Sequence, residues 1–366
     1  MAILHDNIVN FAAGQPKPYE AMRDYYFHYM DTTKGRKLGA YDASVSFADK
    51  EVKMNGMLMD EVKRVSGVTI PDNISEVYFA NNPMIRWATM AVVDMMIEAI
   101  LPETIIDTIG IYTDIRNIGW GDSANFEIKP RALMTVSAGG NAQRTSFIQK
   151  QFSKNVTLLA SNHAITVQSS LYKVLCGKES LAEFVRKAVI SMETAMTTDA
   201  YAAFDAGLAA LYTGTDLNVT GYTQDDLLTM CQTVQAYNQN AKPVIIGTAL
   251  ALSKILPNSA AGYRINTNSE SMTIQLIRNF FQYDILELPQ VATGNYADYG
   301  LALNDNHIYV VSPSVDKLLK GVIEGGVTSN GNDYYDNANL TSNTTLNKRW
   351  GFEYASNATA GIMTLA

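Results

Sequence analysis

Ser180–Leu211, SLAEFVRKAVISMETAMTTDAYAAFDAGLAAL, reads as one amphipathic helix of about thirty residues that carries no recognisable chemistry. Ser180 followed by Glu183 is a capping box, which satisfies the first orphan amides of a helix. Apolar residues then recur at helical spacing through Leu181, Phe184, Val185, Ala188, Val189, Met192, Ala195 and Met196, continued by Ala202, Ala203, Ala206 and Ala210. Glu183 and Lys187 form an i,i+4 pair, and Tyr212-Thr213-Gly214 is the stop. At ~1.5 Å per residue the element spans roughly 45–50 Å. The competing reading is two helices broken at Thr197-Thr198-Asp199, where β-branched residues weaken the helix and Thr198 can cap a second one.

Working outward, a chain of 366 residues with 47% hydrophobic content has room for two or three domains with real cores. The charged fraction, 17%, lies below the ~25% of ordinary soluble proteins and fits a surface covered by other subunits. A formal net charge of −8 argues against tight general binding of nucleic acid, which depends on lysine and arginine neutralising phosphates. Cys176 and Cys231 are too few for a disulfide framework or structural zinc site, and sit among apolar residues as inert thiols. Met1 leads into His5, Asp6 and Asn7 without the order of a secretory leader. The most apolar stretch, Met84–Leu101, carries Arg86, Asp94 and Glu98 and predicts an amphipathic helix ended by Pro102, not a membrane span.

Before that helix the chain shows no single period. Tyr25, Tyr26, Phe27 and Tyr29 mark an aromatic stretch, and a helix is expected over Phe47–Val65, closed by Pro71. Gly121–Phe152 has few large core residues, scattered charges and a turn signal at Ala138-Gly139-Gly140-Asn141. It predicts either a long two-stranded hairpin that needs a neighbouring molecule to lie on or a mobile surface loop. Residues 155–171 alternate as strands. Thr223 with Asp226 caps a helix, Pro243–Gly247 is a buried strand, helices follow over Ala249–Leu256 and Ser271–Phe281, and Asp284–Leu288 and His307–Val311 are strands. This alternation predicts a sheet flanked by helices. Ser329–Asn347 reads as a polar loop, and Trp350–Tyr354 and Gly361–Leu365 as strands returning to the body.

No catalytic motif is present. Gly177-Lys178 is a failed phosphate loop, with Glu179 where Ser or Thr binds magnesium and Tyr172 at the first glycine position. His5, His28, His163 and His307 form neither a zinc motif nor a close pair, and nothing places Cys176 beside His163. Asp333 and Asp336 lie in a loop without the glutamate of an EF-hand. No catalytic residue, cofactor or metal is expected.

The order of arm, glycine-tipped hairpin, strands, long helix, α/β part and returning strand resembles the major capsid protein of tailed bacteriophages, an α+β chain of the Hong Kong 97 fold. PVIIGTALALSKI (243–255) and RWGFEYASNATAGIMTLA (349–366) carry the likeness most clearly. The resemblance implies an N-terminal arm over 1–80, a packing helix and lead-in over 81–114 and an extended hairpin loop over 115–153. It implies a peripheral domain over 154–212 and 345–366 built on the long helix, and an axial domain over 213–344. It also implies a structural protein, not an enzyme, that assembles with itself into hexamers and pentamers of an icosahedral shell around phage DNA. The expected partners are a separate scaffolding protein and a portal, with no membrane. The expected location is the virion, after assembly in the host cytoplasm. Lys129, Arg131, Gly139, Gly140 and Arg144 of the hairpin are the candidate intersubunit contacts. Lys129 with Asn357 or Asn343 matches the segments some members crosslink, but no local motif supports that reaction here. The alternatives are an encapsulin-like compartment, an α/β enzyme with its site between Thr223 and Val311, and an oligomeric surface or tail-tube protein.

Overall fold

The computed structural model describes residues 17–70, 82–110, 112–131, 134, 136, 148–169, 180–255, 279–293, 299–331 and 342–365. The long helix, α4, runs unbroken over Leu181–Leu211. Its expected weak point holds because Met196, Thr197, Ala200 and Tyr201 around it are buried, while Thr194, Thr197 and Thr198 turn their hydroxyls back to the carbonyls of Ile190, Glu193 and Thr194 at 2.7–2.9 Å. Thr198 caps no second helix, and the Asp199 carboxylate beside it accepts the Trp350 indole N–H at 2.8 Å. At the start, Ser180 Oγ accepts the Glu183 amide at 3.1 Å. Asn55 supplies what one serine cannot, accepting the amides of Leu181 and Ala182 at 2.8 and 3.2 Å. The Glu183 carboxylate pairs forward with Lys187 at 2.8 Å.

Three helices surround α4: α2 (Phe47–Ser66) and α3 (Pro83–Ile109) pack on it, and α1 (Pro18–Lys34) packs on those two and reaches it through side chains. The aromatic stretch is thus the middle of a helix. Tyr25, Tyr26, Phe27 and His28 are consecutive and all buried, so no single face is apolar and the helical period is hidden. Tyr26 donates to Glu193 of α4, which also pairs with Arg36, and Arg186 donates to the Tyr25 hydroxyl at 3.0 Å. Asp24 and Lys50 form a buried ion pair between α1 and α2. Pro102 does not end α3, which continues to Ile109. A proline inside a helix removes one hydrogen bond at about 3 kcal/mol. The buried row Ile85, Ala88, Val92, Val93, Met96, Ile97 and Ile100 offsets that loss. Among the described residues no helix is long and apolar enough to cross a membrane.

Past α3 the chain enters β1 (Thr113–Ile118), β2 (Ala124–Ile128), β3 (Lys154–Leu158) and β4 (Ser161–Ser169). After α4 come β5 (Asn218–Thr220), α5 (Gln224–Tyr237), β6 (Val244–Gly247), α6 (Ala249–Ser253), β7 (Asn279–Phe280), β8 (Tyr283–Glu287) and β9 (His307–Val311). The last strands are β10 (Leu319–Gly331), β11 (Ser342–Tyr354) and β12 (Gly361–Thr364). Expected helix Ser271–Phe281 lies mostly outside the described residues, and its described end is strand β7. The Asn/Gly-rich segment Ser329–Asn347 is not a loop throughout, because the ends of β10 and β11 reach into it and pair antiparallel up to Gly331 opposite Thr344. Polar residues suit arms whose edges carry the hydrogen bonds. Helix α6 stops at Ser253, short of Leu256.

Two sheets result. One is four-stranded in the order β1-β10-β11-β4, with β1 parallel to β10. The other is six-stranded in the order β5-β12-β9-β6-β8-β7. The closing strand, which the resemblance groups with the long helix, lies within this second sheet, parallel to β5 and antiparallel to β9. Strand alternation explains how this sheet is buried on both faces. Ile246, Tyr309, Val311 and Ile362 face the core around α4. Ile245, Ile308, Val310 and Met363 face Leu227, Met230 and Val234 of α5 and Leu252 of α6.

Candidate assembly surfaces

The hairpin has a root but almost no core. β2 and β3 pair from Ala124 opposite Leu158 to Ile128 opposite Lys154. Ala124, Phe126 and Leu158 alternate onto Val322 of β10 and make a small separate cluster. Arg116 lies 4.2 Å from the centre of the Phe126 ring and donates to the Asn125 carbonyl at 2.6 Å. Beyond this root Met134, Val136, Ile148 and Phe152 are 63, 93, 89 and 75% exposed. Covering such side chains releases roughly 1.5–3 kcal/mol each, and this chain leaves that free energy unused.

Of the five candidate contact residues, Gly139, Gly140 and Arg144 lie outside the described residues, as does the Ala138–Asn141 turn. The side chain of Lys129 is exposed, while its carbonyl accepts the Asn357 side-chain amide at 3.2 Å. Arg131 points back into its own chain and donates to the Asn238 carbonyl at 2.9 Å. Asn238 is itself buried and exchanges hydrogen bonds with Thr359 at 2.7 and 2.9 Å. The hairpin is thereby fastened at its root to the end of α5 and the segment that leads into β12.

Other large apolar side chains are exposed, Met84, Trp87 and Met95 on α3 and Trp120 on the β1–β2 turn. Trp120 is 71% exposed and lies over Gly325, where φ is 55° and an added Cβ would meet the indole at 3.1 Å. Trp350, in contrast, is buried.

A cleft of about 590 Å³ lies between β4, β11 and the middle of α4. There Ser161 Oγ lies 2.9 Å from His163 Nε2, and His163 Nδ1 lies 3.7 Å from Asp199. The order is that of nucleophile, base and acid. The geometry serves packing instead. Ser161 donates to the Trp350 carbonyl at 3.0 Å, Asp199 is engaged by the indole, and 3.7 Å exceeds a hydrogen bond. The imidazole is stacked on Trp350 at 3.8 Å. These groups pin β4 and β11 to α4. No motif reveals the cluster, because Asp199 stands far along the chain from the Ser161-x-His163 face of β4.

A similar pin joins α4 to β9. Asp205 Oδ1 lies 2.6 Å from His307 Nδ1 and accepts the Tyr309 hydroxyl at 2.7 Å. Burial alone would raise the Asp205 pKa, but the hydrogen bonds from His307 and Tyr309 prevail and hold it below the usual carboxylate value. Burial pushes the Cys231 thiol up to about 12, so it stays protonated, while Cys176 lies outside the described residues. Asp333 and Asp336 do too, and among the described residues no group of three or more His, Cys, Asp or Glu is placed to hold a metal ion.

The family model described as SPbeta prophage-derived putative capsid protein YonB matches residues 39–364. No curated protein matches the sequence. Among solved structures, the capsid of a native GTA particle aligns over 72% of this chain and 90% of its own, at 10% identity and a TM-score of 0.51. The mature capsid of bacteriophage PhiM1 aligns over 70% of this chain and 86% of its own, at 11% identity and a TM-score of 0.46. A virus-like particle from Pyrococcus furiosus aligns over 74% and 98%, at 10% identity and a TM-score of 0.43.

Proposed function

This chain belongs to the family described as SPbeta prophage-derived putative capsid protein YonB, and from that premise we infer that it is a major capsid protein whose copies close an icosahedral shell. The fold is the α+β fold of Hong Kong 97 type capsid proteins. The role is structural, and its place is the virion capsid. The hairpin carries this reading most directly: a root tied to its own subunit and an outer part whose Met134, Val136, Ile148 and Phe152 find no cover within the chain. Mechanism here means many modest repeated contacts between identical subunits, closed by symmetry.

In this reading copies gather as hexamers and pentamers, residues 1–80 act as an arm, 81–114 as packing helix and lead-in, and 115–153 as the reaching loop. Residues 154–212 and 345–366 form the peripheral part, apart from β12, which joins the sheet of 213–344, the part around capsomer centres. Lys129 and the glycine-tipped turn with Arg144 meet the neighbouring subunit. The enclosed cargo is phage DNA, held without tight binding as suits a net charge of −8. A separate scaffolding protein and a portal guide assembly in the host cytoplasm.

Electron microscopy of the purified full-length protein, with and without residues 130–146, tests this. The full chain is expected to form closed shells and the deletion to leave a folded, unassembled subunit. A full-length protein that stays a soluble monomer under all conditions, its scaffold included, overturns it. Shells that enclose protein instead of DNA would place the chain with encapsulin-like compartments.

A further inference from the structure

His28 of α1 is buried among aromatic rings, stacked on Tyr41 with centroids 4.6 Å apart and edge-on to Phe47 at 5.9 Å. Tyr41 belongs to residues 35–46, the strap that joins α1 to α2, and Phe47 opens α2. Two carboxylates of α1 hold the strap: Asp31 accepts the Tyr41 hydroxyl at 2.6 Å, and Asp24 accepts the Asp42 amide at 2.8 Å. Asp24 also pairs with Lys50 of α2, whose buried ammonium lies 5.3 Å from the centre of the Tyr41 ring. His28 Nδ1 has no hydrogen-bond partner among the described residues. An uncharged ring leaves only a bare lone pair there. A protonated ring would bury an N–H without an acceptor, against the same tyrosine that Lys50 already faces. Burial first, and Lys50 after it, disfavour the charged ring and outweigh Asp24, Asp31 and Asp42, so the His28 pKa lies below its ordinary 6.5. From α4 the same aromatic group meets another cation, Arg186, 4.2 Å from the Tyr29 ring and 5.5 Å from that of Phe47.

We propose that His28 is an acid-sensitive latch, which holds residues 35–46 and the head of α2 against α1 while uncharged and lets that strap lift once protonated. The latch stands apart from the shell reading, since its α1 half lies ahead of residues 39–364, the part that the family model matches. A lifted strap sets the imidazole in water, where it takes up a proton near pH 6.5. The closed strap refuses that proton. Closure is therefore complete above about pH 6.5, weakens as the pH falls below it, and levels off only beneath the lower closed-state pKa. Carboxylates ordinarily titrate near pH 4, so the window from pH 7 to 5 isolates the histidine. The opening stays local because α1 keeps a separate hold on α4, where Tyr26 donates to Glu193 and Arg186 donates to Tyr25.

The test uses the full-length chain and its His28→Phe and His28→Gln variants, neither of which can take up the proton. Hydrogen exchange is followed by mass spectrometry at pH 5, 6 and 7, corrected for the intrinsic pH dependence of exchange, over residues 35–46 and over α5 as an internal control. In the unsubstituted chain, protection of residues 35–46 should fall about tenfold or more between pH 7 and 5 while α5 stays protected. In both variants it should hold steady. Protection of the strap that is unchanged at pH 5 overturns the proposal. An equal loss in the variants does so too, as does an equal loss in α5, which would be general unfolding. Should neither variant fold, the His28 ring is titrated by NMR in the unsubstituted chain: a midpoint below 6.5 supports the latch, and one at or above 6.5 overturns it.

Discussion

Asp205 shows how single side chains hold the two halves of the subunit together. It projects from α4 and meets His307 and Tyr309 of β9, so its carboxylate is worth most when ionised. A carboxyl whose native pKa is depressed adds stability above its unfolded pKa, near 4, and loses it as the pH falls through the lower native value. Asp205→Asn should therefore lower stability at neutral pH by about 1–2 kcal/mol, allowing for partial exposure, and flatten the acid limb of a pH–stability curve measured in denaturant. An unchanged acid limb would show that the carboxylate is not ionised in the way its partners require. Such partnerships are invisible in sequence, where residue types are plain but companions are not. Arg131 was readable as a hairpin cation, yet its hydrogen-bond acceptor is 107 residues away. Ser161, His163 and Asp199 likewise met only through the pairing of β4 and β11 against α4.

Among elements, α4 was the most readable because its signals are local. A serine cap, an apolar period and a paired Glu183 and Lys187 fixed its limits, and burial of Met196, Thr197, Ala200 and Tyr201 carried it past the suspected break. α1 failed for the opposite reason, being buried by neighbours on several sides. Pro102 misled because burial elsewhere on α3 outweighed a local rule. The β10–β11 arms were polar enough to pass for a loop. α4 packs against β11 through Gly207, where an added Cβ would lie 2.2 Å from Tyr354 Cβ. Gly207→Ala gains intrinsic helix propensity of about 1 kcal/mol but forces the elements apart, so a net loss of about 1–2 kcal/mol is expected. Thermal unfolding checks the sign, and a stabilised variant would mean that the contact yields easily.

For the whole molecule, the shell reading predicts that folding and assembly draw on separate surfaces. Ile148 and Phe152 are 89 and 75% exposed, so Ile148→Asp with Phe152→Asp should change subunit stability by no more than about 1 kcal/mol. The same pair should abolish shells in sedimentation, and normal shells from the double variant would remove the hairpin from the contact. The order of elements along the chain gave the architecture away, but not how its end is threaded. Strand β12, drawn from residues 361–364, is flanked on both sides by earlier strands, β5 and β9. The six-stranded sheet therefore joins β5 to β9 only through this late strand, as a slat laid between two that were there before it in the chain.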